Sequence, residues 1–248
     1  MKANKLWYDI HMYTIKKTVT SNDVDQNLEL RLSSLFKFLQ EVASEQCDKL
    51  GVGHWDLFKH HMLWVVIRMD IHIYRTPKLD EELIVGTHAG IQRSFIYPRF
   101  FEVKDSKKNV IIRGSSLWTL IDENTRKVVV KPPECARVDG KDEKGDLPLP
   151  DKIVEEANEL VDTRKVKYSE IDLNGHLNNT NYVSFITDTH EPEFFKNNRV
   201  SRITVFYDKE IRANSEVKLY SNKQDPETIR GEVEGNTHFT ARIEYEKR

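Results

Sequence analysis

The sequence is poor in cysteine. Only Cys47 and Cys135 occur among 248 residues, with no CxxC spacing. That excludes a disulfide framework, argues against a zinc cluster, and fits a reducing compartment. Long apolar runs are missing too: the longest, Met62 to Ile67, falls far short of the ~18–20 residues a membrane span needs. The opening MKANKLWYDI lacks the ~7–15-residue apolar stretch of a secretion signal, so a cytoplasmic protein is expected. Neither sign of charge dominates, since 38 Lys and Arg against 40 Asp and Glu leave a net charge of −2. Without a basic field, nucleic acid is not an expected partner. There is no GxSxG elbow and no SxxK motif, and neither cysteine has a evident histidine partner, so no covalent nucleophile stands out.

What the chain does have is a rhythm that occurs twice. Residues 131–155 hold four of the eight prolines and a dense set of charges, and apolar periodicity stops there. The chain therefore divides into an N-terminal unit (1–135), a linker (136–155) and a C-terminal unit (156–248). In the first unit, the strand-like YDIHMYTIKKTV precedes a helical stripe of Leu35, Phe38, Leu39, Val42 and Ala43. Ser33 or Ser34 is the expected N-cap and Gly51 the expected stop. Strands follow. In WVVIRMDIHIY, Ile67, Met69, Ile71 and Ile73 alternate with Arg68, Asp70 and His72. LIVGTHA, FIYPRFFEV and NVIIRGSSLWTLID complete the unit. The second unit repeats the order: DTRKVKYS, a short helix around Tyr182, Phe185 and Ile186, then RITVFY, EVKLYS, TIRGEVE and HFTARIEYE.

At a constant offset of 147 residues, Asp25 and Asn27 fall on Asp172 and Asn174, and Val24 on Ile171. Leu35, Phe38 and Leu39 then meet Tyr182, Phe185 and Ile186. A gapless match at the same point of two matching element orders indicates duplication. A helix followed by antiparallel strands, with no Gly-rich βα turn, predicts an α+β protein. Its architecture would be a double hotdog: two tandem units, each a curved antiparallel sheet wrapped round a helix, paired edge to edge.

One stretch concentrates chemistry. SEIDLNGHLNNTNY gathers Asp172, Asn174, His176, Asn178, Asn179 and Asn181 just ahead of the second helix. Turn and cap formation explain Gly175 and one of the paired Asn residues, but not a histidine among several amides. A helix start has unpaired N–H groups and partial positive charge, which with Asn or His donors would stabilise a carbonyl oxygen that becomes negative. The first copy has Glu29 and Arg31 where His176 and Asn178 stand. A calcium loop would need Gly and Glu where Leu177 and Val183 occur. No further ligands near His176 suit a metal, so none is expected. Attack by an activated water is the leading chemistry.

The pattern D-x-N-x-H-x-N-N-x-x-Y, from Asp172 to Tyr182, resembles the signature of plant and bacterial acyl-acyl-carrier-protein thioesterases. SLFKFLQEVA, LWVVIRMDIHIYRTP and RGSSLWTLIDENTRKVVVKPPE resemble the family's first half, so the likeness covers nearly the whole chain. It implies a tandem hotdog that hydrolyses the thioester between a fatty acyl chain and the phosphopantetheine arm of acyl carrier protein (ACP), with no cofactor. It also brings in Glu210, within Tyr207-Asp208-Lys209-Glu210. Ile211 follows where many plant members have Cys, which removes a cysteine nucleophile at that position and favours a carboxylate-activated water. On this likeness Asp172, Asn174, His176 and Glu210 are the expected catalytic set, with Asn178 and Asn179 assisting at the substrate. Trp64, Val66 and Arg68 are expected beside the acyl tunnel, and Arg164, Lys165 and Lys167 could form a basic patch for the acidic carrier protein. An acyl-CoA thioesterase and a non-catalytic acyl-binding module are the alternatives, and a homodimer stays open.

Overall fold

The computed structural model describes residues 12–224 and 226–248; the expected strand residues Tyr8 to His11 lie outside the described residues. In chain order the elements are β1 (Tyr13–Thr18), α1 (Leu32–Leu50), α2 (His54–Phe58), β2 (Met62–Ile73), β3 (Glu82–Ala89), β4 (Tyr97–Lys104) and β5 (Val110–Asp122). After the connector come β6 (Glu159–Lys165), α3 (Asn179–Thr187), α4 (Phe194–Asn197), β7 (Asn198–Tyr207), β8 (Glu216–Ser221), β9 (Glu227–Val233) and β10 (Asn236–Lys247). The strands form one antiparallel sheet in the order β1-β3-β4-β5-β2-β7-β10-β9-β8-β6. The two halves meet where β2 pairs with β7, from Arg68 opposite Phe206 to His72 opposite Arg202. This is the double hotdog, and the central pairing covers two strand edges that would otherwise be exposed.

The long helix buries Leu35, Leu39, Val42 and Ala43, the stripe that its periodicity predicts, and packs against β3 and α3. Gly51 ends it in the left-handed region (φ 72°), its N–H donating to Asp48 O, while Val52 N–H donates to Cys47 O. The start differs from expectation. Arg31, not Ser33 or Ser34, is the N-cap, and it caps through no side-chain bond. The preceding turn already holds the chain there through Arg31 N–H to Asp23 O, so helical geometry begins at Leu32. The alternation in β2 is also broken. Val66 faces Trp118 and Arg68 faces Leu117 on β5, leaving Ile67 as the extra residue of a bulge. The period of two resumes only beyond it, with Met69, Ile71 and Ile73 buried.

The halves are copies down to single hydrogen bonds. Asp25 Oδ1 accepts from Asn27 N–H (2.8 Å) and Glu29 N–H (3.2 Å). Asp172 Oδ1 accepts from Asn174 N–H (2.8 Å) and His176 N–H (3.2 Å). Leu28 (φ 57°) and Gly175 (φ 79°) make the same left-handed step. Leu30 N–H donates to Pro77 O at 2.8 Å, and Leu177 N–H to Ile211 O at 2.7 Å. By these bonds Thr76 is the counterpart of Glu210, and Glu29 that of His176.

The connector is no loose tether. Ser115 Oγ donates to Pro148 O (2.8 Å), Lys141 N–H to Ala89 O (3.0 Å), and His88 Nε2 lies 3.2 Å from Asp146. A Cβ on Gly140 would stand 2.0 Å from Gly90 O, so only glycine lets this strap lie against the first half.

Candidate active site

The loop ahead of α3 is closed by a bridge between Ile171 and Leu177. Its turn formers are committed to backbone. Asp172 binds the two N–H groups named above and so shapes the loop, as Asp25 does in the other copy, rather than touching the His176 ring. Asn178 caps α3, its Oδ1 accepting from Thr180 N–H (3.0 Å) and Thr180 Oγ1 (2.9 Å). Asn181 Nδ2 donates to Glu170 O (2.9 Å), another structural bond. The exposed Asn174 side chain and the start of α3 at Asn179 are left facing the cavity described below.

Glu210 stands just beyond β7, held by its neighbours. Ile211 is fully buried in the core, away from the cavity, and its carbonyl receives Leu177 N–H, which fastens the Glu210 segment to the histidine loop. Glu210 Oε2 lies 3.4 Å from His176 Nε2. Its other oxygen pairs with Arg126, a residue of the first half in the turn after β5. Sequence reasoning missed Arg126, because an arginine inside the charged ENTRK turn reads as a solvated loop residue. His176 Nδ1 is buried and has no hydrogen-bond partner. Burial, followed by the nearby Arg126 and, more weakly, Arg212, presses the His176 pKa below its ordinary value, although Asp172 pulls the other way. The imidazole is therefore neutral at neutral pH.

A cavity of about 690 Å³ runs from this loop into the first half, between α1 and the strands β2, β4 and β5. Trp64 and Val66 line it, and Trp64 is fixed by its Nε1–H donating to Val52 O (2.9 Å). Arg68 does not line it. The bulge at Ile67 turns Arg68 away from the face that Val66 occupies, so its guanidinium covers the Phe206 ring (4.6 Å) and reaches Pro150 O (3.4 Å). In the first copy, the Asp25 loop borders a smaller cavity of about 450 Å³. There Thr76 and Glu29 replace the Glu210–His176 pair, and Glu29 is neutralised by Arg248 at 2.5 Å. Of the basic trio, Arg164 is engaged by Asp188 (2.8 Å) and stacked on Phe185 (4.1 Å), which leaves only Lys165 and Lys167 exposed. Among the described residues no group of three or more His, Cys, Asp or Glu could hold a metal ion, and no helix is long and apolar enough to cross a membrane.

Residues 11–138 match the family model of the acyl-ACP thioesterase N-terminal domain, and residues 154–247 that of its C-terminal domain. The chain belongs to the acyl-ACP thioesterase family. Among curated relatives, it is 22% identical to the chloroplastic oleoyl-ACP thioesterase 2 of Arabidopsis thaliana, over 97% of this chain and 71% of that one. It is 23% identical to the chloroplastic acyl-ACP hydrolase FATB2 of Cuphea viscosissima, over 80% of this chain and 52% of that one. The chain thus spans about half to seven-tenths of these relatives' lengths. Among solved structures, an acyl-ACP thioesterase from Bacteroides thetaiotaomicron superposes with a TM-score of 0.86 at 24% identity, covering 95% of this chain and 98% of that one. The 12:0-ACP thioesterase of Umbellularia californica gives 0.83 at 18% identity, covering 97% and 100%. These likenesses carry the tandem hotdog fold of the family.

Proposed function

We propose that this protein hydrolyses the thioester of a fatty acyl chain carried on ACP, releasing free fatty acid and the carrier's thiol. One observation carries the reading: the His176–Glu210 pair stands at a large, partly apolar cavity, whereas the duplicated position has Glu29 and Thr76. Glu210 takes a proton from a water whose oxygen bonds to the thioester carbonyl carbon. The carbonyl oxygen, now negative, receives hydrogen bonds from the Asn174 amide and from Asn179 N–H, which has no acceptor among the described residues. Collapse breaks the carbon–sulfur bond, the electron pair leaves with sulfur, and the proton on Glu210 passes to the thiolate. Neutral His176 donates through Nε2 to Glu210 and fixes its aim, while Asp172 acts by shaping the loop. In this scheme the second unit, 156–248, supplies the chemistry, and the first, 1–135, holds the acyl chain along Trp64 and Val66. The unpaired thiols of Cys47 and Cys135 accord with a reducing cytosol. Among the described strands, β1 and β6 are the two with an unpaired edge that a homodimer could extend, since every other one is flanked on both sides.

Thiol release measured side by side on acyl-ACP and acyl-CoA of matched chain length tests the carrier, and preference for CoA would overturn the ACP reading. Asn174→Ala is expected to lower turnover on acyl-ACP by about 10²–10³-fold. Its counterpart Asn27→Ala, which loses the bond from Asn27 Nδ2 to Phe195 O (2.9 Å), should lower the melting temperature and spare turnover. Equal loss of turnover in both variants would contradict the asymmetry.

The pH profile gives a second check. Because burial lowers the His176 pKa, the neutral ring persists as pH falls through 6.5, the ordinary histidine value. The acid limb of kcat/KM should therefore have its midpoint below pH 6.5. Arg126→Ala removes a repelling cation and should move that limb upward. A midpoint at or above the ordinary value in the unaltered enzyme would refute the role given to His176.

A further inference from the structure

The far wall of the cavity carries polar groups that an ordinary fatty acyl chain cannot satisfy. Arg99, on β4, is only 7% exposed and lines the cavity. Its Nη1 donates to Gln46 Oε1 (2.5 Å) and Thr87 Oγ1 (3.1 Å), and its Nη2 to Cys47 Sγ (3.2 Å). None of these is a carboxylate, and among the described residues Arg99 forms no ion pair. A guanidinium taken out of water without a counter-charge is costly unless something else supplies one. Two residues earlier on the same face of β4 stands Tyr97. It is 6% exposed, lines the same cavity, and its hydroxyl is buried without a hydrogen-bond partner. Burial raises its pKa, so the phenol keeps its proton and remains a donor.

A buried guanidinium without a counter-charge and a buried phenol without an acceptor, both facing one cavity, describe a subsite that waits for a ligand oxygen. Sheet order fixes how far it lies from the chemistry. β4 is separated from β7, which leads into Glu210, by β5 and β2, hence three strand spacings or about 14 Å across the sheet. We propose that Tyr97 and Arg99 form a distal oxygen-binding subsite, and that the preferred substrates are acyl chains with a carboxylate remote from the thioester. The proposal rests on the thioesterase reading above and specifies its substrate class. A planar carboxylate suits the site because it can accept from the guanidinium and the phenol together. A site built around buried donors also discriminates against the analogue that lacks the acceptor.

The test compares hydrolysis of ACP loaded with monocarboxylic acyl chains and with α,ω-dicarboxylic chains of matched length, over a range of lengths. At the length that spans the cavity, the carboxylate-ended chain is expected to show kcat/KM about tenfold or more above its methyl-ended partner. Arg99→Met should abolish that ratio, and Tyr97→Phe, which removes one oxygen and no bulk, should reduce it even if the arginine variant fails to fold. If methyl-ended chains are hydrolysed and the carboxylate gives no advantage at any length, this proposal fails while the thioesterase reading stands. If no acyl-ACP is hydrolysed, the thioesterase reading fails, and the subsite is then judged by calorimetry on the intact protein. In that measurement the monomethyl ester of a diacid should bind about tenfold more tightly than the methyl ester of the matched monoacid, and equal binding would overturn the subsite.

Discussion

Glu210→Gln is expected to reduce acyl-ACP hydrolysis by about 10²–10⁴-fold, the range for removing a proton-transfer group. Glutamine keeps the size of the side chain and one oxygen for Arg126, but it cannot take a proton from water. Glu210 is exposed, and the backbone that positions it is held through Ile211, so the fold should not depend on its charge. The melting temperature of the variant should stay within a few degrees of the parent, which separates a chemical defect from unfolding. Near-normal single-turnover rates on acyl-ACP would remove Glu210 from the mechanism. Part of the effect could arise through Arg126, which lies against the same carboxylate. Arg126→Lys is the control: it preserves charge and should retain much more activity than Glu210→Gln.

The largest effect on stability should come from the seam between the halves. Asp70 on β2 is 3% exposed and receives Arg202 Nε (3.0 Å) and Nη2 (2.9 Å) from β7, with Thr204 Oγ1 (3.1 Å) beside them. Arg202→Met would strand a buried carboxylate, and breaking such a pair costs about 3–5 kcal/mol. The His72 and Thr204 contacts remain in the variant, so the lower end of that range, about 3 kcal/mol, is expected by denaturant titration. The same pair sets an acid limit. Hydrogen bonds from His72 and Arg202 outweigh desolvation and hold the Asp70 pKa at about 2, below its ordinary 3.8. A depressed carboxylate pKa stabilises the fold fully above the unfolded value, and that contribution is lost as pH falls from about 3.8 toward 2. Asp70→Asn should therefore flatten stability against pH in that window, and an unchanged acid transition would show that the seam does not control it.

Much of this molecule was legible from spacing alone. The stripe from Leu35 to Ala43 and the 147-residue offset rest on local periodicity, which burial of an amphipathic face enforces wherever it occurs. The turn formers Asp172 and Asn178 were legible as turn formers, and that is the work their bonds show them doing. Both also line the cavity beside His176, but a motif records neighbours in sequence and not the direction of each side chain. Arg68 failed for a related reason. A period of two puts Arg68 with Val66, but one extra residue at Ile67 reverses the face, and no residue type in WVVIRMD signals a bulge.

The sequence by itself determined the single elements, the duplication and the absence of the histidine from the first copy, since the elements are written in local spacing and the copies are matched by one constant offset. Only the tertiary structure decided which groups share a site. Glu210 meets His176 because a core residue, Ile211, bonds the backbone of the histidine loop, and Arg126 reaches Glu210 from the other half across the β2–β7 seam. Arg99 and Tyr97 acquire meaning in the same way. On a strand they are a charged and an aromatic residue, and only their burial beside the cavity leaves the guanidinium without a counter-charge and the phenol without an acceptor.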